Sequence, residues 1–223
     1  MSKTIWSTAL SIGGALGLAF SGFSAPAQQF SADLVRTDAG GTAPRPAGKV
    51  NVLHDRVRIE TSDAPGGFFL ILGDVDAAYF VRPAQRIFMD AKQSSQLTQV
   101  FVVVDPDDPC IRWRATAKIA GAANERTEWR CERVSDDTVN GRRAIKYFSI
   151  LAANRQHFAW IDPQLRFALR LQYEDGAFVD LVNIQEAPQS ESLFMVPGGY
   201  QKFDPQRLID HIKQSDVWVE PAP

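Results

Sequence analysis

The sequence is short of the side chains from which reactive sites are usually assembled. Its 223 residues include two cysteines, three histidines and three methionines. Two thiols exclude a disulfide-lattice scaffold, and the histidines show neither H-x-x-x-H nor H-E-x-x-H spacing, which excludes the helical zinc sites. His54 falls in a predicted turn, His157 in a predicted strand and His211 in a C-terminal helix, so each reads as a structural histidine. There is no G-x-S-x-G elbow, no G-x-x-x-x-G-K-[ST] loop and no G-x-G-x-x-G turn. Charge of one sign is also scarce: 24 basic side chains meet 26 acidic ones, for a formal net charge of -2. With no basic field, a nucleic-acid partner is excluded. No catalytic residue, cofactor or metal ligand is therefore assigned, and the chain does not read as an enzyme.

What is present is an ordinary globular composition, 45% hydrophobic, 22% charged and 10% aromatic. A chain of this length buries about 70% of its unfolded surface, enough for a core that needs no metal. The N-terminus indicates the compartment. Lys3 is the one charged residue before Asp33, the run from Ala9 to Phe20 is apolar and short, and Ala25-Pro26-Ala27 follows. This pattern predicts a secretory signal peptide over residues 1–27, cleaved after Ala27, with an uncleaved anchor helix as the alternative. No cysteine lies in or just after the run, so no lipid anchor is expected, and residues 28–223 read as a single exported, soluble, monomeric domain. Export puts Cys110 and Cys131 in an oxidising environment, where they pair in one way. The resulting disulfide closes a loop of about 20 residues and stabilises by about 3 kcal/mol in the chain-entropy model. The alternative is two isolated buried thiols; a redox-active pair is disfavoured because C-x-x-C spacing is absent.

From Phe30 onward, short β-patterned runs alternate with turn residues. Phe30, Ala32 and Leu34 alternate with polar neighbours, a Gly/Pro linker follows from Gly40 to Gly48, and Val50–Val52 and Val57–Ile59 flank a turn at Leu53–Arg56. Phe68–Leu72, Ala78–Val81 and Arg86–Met89 continue the meander. Ser94–Val103 and Pro109–Ala120 read as two short helices, the second introduced by Asp105, Asp107 and Asp108, whose charge complements a helix N-terminus. Further strands fit Trp129–Val134, Ala144–Leu151, Gln156–Ile161, Phe167–Tyr173 and Phe178–Ile184, with turns at Asn140-Gly141, Asp162-Pro163 and Glu174–Gly176. Asp136 and Asp137 read as solvated turn residues, and Arg142, Arg143 and Lys146 as a solvated basic face, with transient membrane-surface contact as the alternative. A helix is expected from Pro205 to Gln214. The class is mainly β (α+β): a curved antiparallel sheet with covering helices.

Two segments carry a family resemblance. Trp160-Ile161-Asp162-Pro163-Gln164-Leu165-Arg166 resembles the W-x-D-turn-P-L-R/K hairpin of the LolA/LolB-like periplasmic lipoprotein carriers, with Ala168 where a proline is usual. Phe194-Met195-Val196-Pro197-Gly198-Gly199-Tyr200 is similar to their closing F-x-x-P-x-G-Y segment. The order of meander, mid-chain helices and second meander is also similar, and the likeness is to an exported branch other than the dedicated carrier. It implies an unclosed half-barrel, a periplasmic location, and a concave face that holds an acyl chain, lipid or lipoprotein. On that implication, Phe68, Leu70, Leu72, Tyr79, Val81, Phe88, Phe101 and Trp113 are the lining candidates, and Arg58 is one candidate for a lining arginine. A filled core would use the same residues. The alternative function is a periplasmic structural or regulatory partner protein with a filled core, bound through a sheet edge. The motif residues Trp160, Asp162, Phe194, Pro197 and Tyr200 have a structural reading as core and turn residues.

Overall fold

The computed structural model describes residues 28–91, 96–119, 130–150 and 156–205, together with Arg207, Ile209 and Asp210. The expected signal peptide lies outside the described residues, as does most of the expected C-terminal helix. Six strands form the first meander: β1 (Gln29–Thr37), β2 (Arg45–Leu53), β3 (Arg56–Thr61), β4 (Phe68–Leu72), β5 (Ala77–Arg82) and β6 (Ile87–Asp90). Two helices follow, α1 (Gln96–Val100) and α2 (Pro109–Ile119). The second meander comprises β7 (Arg130–Val139), β8 (Arg142–Ile150), β9 (Gln156–Asp162), β10 (Phe167–Tyr173) and β11 (Phe178–Gln185), and β12 is the short strand Gln201–Lys202.

All twelve strands belong to one sheet, ordered β12-β6-β5-β4-β3-β2-β1-β11-β10-β9-β8-β7. The two meanders join where β1 pairs antiparallel with β11, Leu34 facing Leu181. β12 pairs in parallel with β6, through Gln201 opposite Ile87. Among the described residues β7 and β12 are the two edges and do not pair with each other, so the sheet is an unclosed half-barrel. The turns follow from local chemistry. Asn140 and Gly141 have φ of 50° and 79°, the two positive values that a two-residue hairpin loop needs.

Two sequence expectations are corrected. The Gly40–Gly48 segment is not a linker throughout, because its last residues already belong to β2. Gly48 has φ of 149° and packs so closely on β3 that a Cβ would collide with the Glu60 carbonyl oxygen. The glycine that suggested a loop is there for close strand approach. Asp136 and Asp137 are not turn residues either; they lie within β7, which runs on to Val139. Asp137 remains in the strand because its carboxylate accepts the Trp160 indole N–H at 2.7 Å, and Asp136 pairs with Arg133 at 2.8 Å.

Side chains alternate across the sheet, so each strand serves two faces. On the helix side, Phe30, Val52, Val57, Phe69, Ile71, Ile161, Phe167 and Leu169 form one apolar cluster with Val100, Phe101 and Trp113. Phe30 meets Phe167 edge-on with ring centroids 5.3 Å apart, and Phe101 lies 5.9 Å from the same ring. Burying each such side chain contributes roughly 1.5–3 kcal/mol. On the outer side, Leu53, Phe68, Leu70, Val81 and Phe194 form a second cluster. It is closed by the segment after β11, which returns across β3–β6 before ending in β12.

Candidate functional site

The face beneath the helices is built around Trp113. Its ring is fully buried, stands edge-on to Tyr147 and His157 at 6.2 and 6.3 Å, and donates its indole N–H to the Val100 carbonyl at 3.2 Å. Tyr147 in turn donates its hydroxyl to the Pro106 carbonyl at 2.9 Å, tying the connection between α1 and α2 to β8. Burial pushes the Tyr147 hydroxyl above the usual phenol range. Beneath this roof Ser149 and His157, cross-strand neighbours, lie 2.7 Å apart.

The lining candidates divide between the two faces. In β4, Phe68, Leu70 and Leu72 point outward while Phe69 and Ile71 point toward the helices. Tyr79, Val81 and Phe88 join the outward set, covered by Leu193, Phe194, Val196 and Tyr200. Phe101 and Trp113 are on the opposite face, so the eight residues do not surround one concavity. Arg58 is also on the outer side, stacked 3.5 Å over the Phe68 ring and donating to the Leu193 carbonyl at 3.4 Å.

The motif residues have clear physical duties. Asp162, 2% exposed, accepts the backbone N–H groups of Gln164 and Leu165 at 2.7 and 3.1 Å and pairs with Arg142 at 2.6 Å, so it folds the β9–β10 turn. Trp160 lies on the outer face with Lys146 4.7 Å above its ring. Hydrogen bonding from the Trp160 indole, with help from the Thr138 backbone, holds the Asp137 carboxyl below the usual carboxylate range. Phe194 fills the outer cluster, and the Pro197 carbonyl accepts the Tyr200 N–H to turn the chain into β12. Arg142 and Lys146 are engaged with these neighbours, and Arg143, largely exposed, reaches Asp136 at 3.7 Å.

A cleft of about 770 Å³ opens at one end of the sheet, where the β2–β3 and β9–β10 turns meet the start of β1 and the end of β11. His54, Asp55, Gln164, Arg166 and Glu186 give it a polar rim, while Val103 and Leu165 give it an apolar wall. Leu165 belongs to the helix-face core and Val103 packs against it, so the wall of the cleft is the end of that core. Arg166 donates to the Val104 carbonyl at 3.2 Å and its own carbonyl accepts the Val104 N–H, which fixes the roof at the cleft mouth. A second cleft of about 360 Å³ lies beside it, sharing Gln164 and bordered by Arg142, Arg143 and Asp162. Sequence reasoning missed this rim because its members come from two turns and the end of β11, far apart in the chain and brought together by the sheet.

The disulfide is present: Cys110 of α2 is bonded to Cys131 of β7, with Cα atoms 5.8 Å apart. Two residues on, Arg112 approaches Asp76 at 3.6 Å in the turn between β4 and β5. Among the described residues, no cluster of three or more His, Cys, Asp or Glu side chains is arranged to hold a metal ion, and no helix is long and apolar enough to cross a membrane.

No family model matches the sequence, and no curated protein matches it. Among solved structures, PNGF-II is similar over 84% of this chain at 10% identity with a TM-score of 0.52. The match takes in 34% of the PNGF-II chain, so this chain spans about a third of that protein's length. An uncharacterized conserved protein from Thermus thermophilus matches at 13% identity over 78% of this chain and 89% of its own, with a TM-score of 0.43. LolA superfamily protein NE2245 from Nitrosomonas europaea matches at 13% identity over 76% of this chain and 91% of its own, with a TM-score of 0.34. At 10% identity the likeness to PNGF-II is one of fold alone. The strand pairing itself establishes, over the described residues, a mainly β, unclosed half-barrel with two helices, the fold expected from the LolA-like resemblance.

Proposed function

We propose that this is an exported, non-enzymatic binding protein that takes an apolar guest, an acyl chain, lipid or acylated polypeptide, on the sheet face beneath α1 and α2. The observation that carries this reading is the cleft at the sheet end, where a polar rim leads directly onto the apolar wall of Val103 and Leu165. An amphiphile would leave its polar end among His54, Gln164 and Arg166 and direct its chain along the core beneath the helices. The disulfide fits an oxidising compartment, which supports export. Two steps test the reading. Native mass spectrometry of protein purified from its own compartment should show co-purified lipid or acylated polypeptide, and a fluorescent fatty acid should bind competitively with that guest. Protein that is bare as isolated and fails to bind the probe, oxidised or reduced, refutes it.

A second reading has its own observation. β7 is ten residues long and pairs on one side, with β8, among the described residues. Its free side presents backbone donors and acceptors that an extended segment of another exported protein could add to. Cross-linking from β7 to a single reproducible partner, in protein that carries no lipid, would favour this reading over the carrier.

A further inference from the structure

The start of α2 stands between parts of the sheet that are far apart in strand order. Cys110 is covalently joined to β7, one edge of the sheet. Arg112, in the same helical turn, reaches Asp76 at the junction of β4 and β5, which belong to the other meander. Seven strands separate β4 from β7 along the sheet. The curled sheet therefore brings its two halves close enough for a single turn of α2 to touch both. Gly73 makes room for this contact: a Cβ there would collide with the Arg112 guanidinium and crowd the Asp55 carbonyl and carboxylate, which lie 2.8 Å from where it would stand. The next residue of α2, Trp113, seals the core under the gap.

The two fastenings differ in kind. The Arg112–Asp76 pair is long, and Asp76 is 71% exposed, so salt and water weaken it. The disulfide holds as long as it stays oxidised. Cys110 and Cys131 are both half-buried rather than enclosed. The geometry points to a redox latch: Cys110–Cys131 holds α2 as a strap across the open side of the half-barrel, and a dithiol partner releases it. In that exchange a dithiol gives two electrons and two protons to the bond, forming its own disulfide and leaving Cys110 and Cys131 as thiols. The freed strap is then held by Trp113, by the Tyr147 hydrogen bond to the connection before it and by the weak ion pair, and the face beneath it becomes reachable. The latch stands on the two-point fastening; its use in admitting a guest rests on the binding function proposed above.

Hydrogen exchange on the folded chain separates a latch from a plain stabilising cross-link. On reduction with dithiothreitol under native conditions, the α2 amides (109–119) should exchange about a hundredfold faster, the ratio expected for releasing a loop of about 20 residues. The amides of β1, β9 and β10 should keep their protection. A uniform rise across all elements, or an unchanged α2, overturns the latch. The double variant Cys110→Ser/Cys131→Ser should match the reduced protein, and if it does not fold, the reduced wild type supplies the same comparison. Asp76→Asn should accelerate α2 exchange further in the reduced protein and little in the oxidised one. A fluorescent fatty acid then separates the two ideas. Tighter or faster uptake on reduction supports the latch as a guest control, equal uptake in both states overturns that control, and no uptake in either state with local α2 release overturns the guest reading while sustaining the latch.

Discussion

Leu70 gives the sharpest measure of whether the outer face of the first meander is filled. It is fully buried in the middle of β4, opposite Arg58 of β3 and Tyr79 of β5 and in one cluster with Phe68, Val81 and Phe194. Leu70→Gln forfeits the buried leucine, about 2 kcal/mol. It also encloses an amide with no partner in an apolar cluster, a further 1–3 kcal/mol or so on the scale of protein mutational data. The sum is a loss of roughly 3–5 kcal/mol. At about 2–4 °C per kcal/mol for a chain of this size, the melting temperature should fall by on the order of 10 °C. Leu70→Ala, which adds no polar atom, should cost about 2–4 kcal/mol through lost burial and the cavity it leaves. Thermal melts and urea titrations of both variants measure these losses, and fatty-acid titration below the melting temperature measures binding. Because Leu70 faces away from Phe101 and Trp113, probe affinity should stay unchanged. A shift of less than about 2 °C in Leu70→Gln together with weakened probe uptake would place Leu70 on an open cavity wall and refute the reasoning.

Other tests address the hairpin and the first strand pair. Trp160→Phe keeps a ring in the outer face but removes the donor that lowers the Asp137 pKa. The stability this bond contributes is present above the ordinary carboxylate pKa and is lost as pH falls through the lowered folded value, so the gap between wild type and variant should be wider at pH 6 than in acid, where the lost packing of the larger ring remains. A stability gap that stays constant down to pH 2 would show that the bond plays no part. Gly48→Ala should destabilise by about 3 kcal/mol, because positive φ and the Glu60 carbonyl both oppose a Cβ. An unchanged denaturation midpoint would mean that the β2–β3 register tolerates a shift there.

The sequence carried the positions of the strands along the chain well, because Gly, Asn-Gly and Asp-Pro punctuation is local chemistry and period-two alternation marks half-buried strands. It carried facing poorly. Phe68-Phe69-Leu70-Ile71-Leu72 is apolar at every position because both sides of β4 are covered, so the run has no period from which to say which residues meet the helices. The Asp162 turn was legible as a turn, since an aspartate before a proline caps the N–H groups that follow. The bond between Asp137 and Trp160 was not, because the two residues come from strands whose register depends on the bulge between Arg133 and Ser135. The polar rim at His54 and Arg166 and the reach of Arg112 to Asp76 were hidden for the same reason: each depends on the curl of the whole sheet.

The pairing of β1 with β11 has a consequence for how the chain acquires its shape. Asn183 of β11 hydrogen-bonds Asp33 of β1 across 150 positions, and among the described residues that side of β1 is paired by β11 alone. The first meander can form early from neighbouring hairpins, yet its first strand stays half-satisfied until nearly the whole chain has arrived. Such distant closure is slow, because the entropy of a long loop is lost before the contact compensates for it. A growing chain is therefore kept from premature completion by its own topology, and a truncation just before Phe178 should leave β1 with an unpaired side and a product that self-associates.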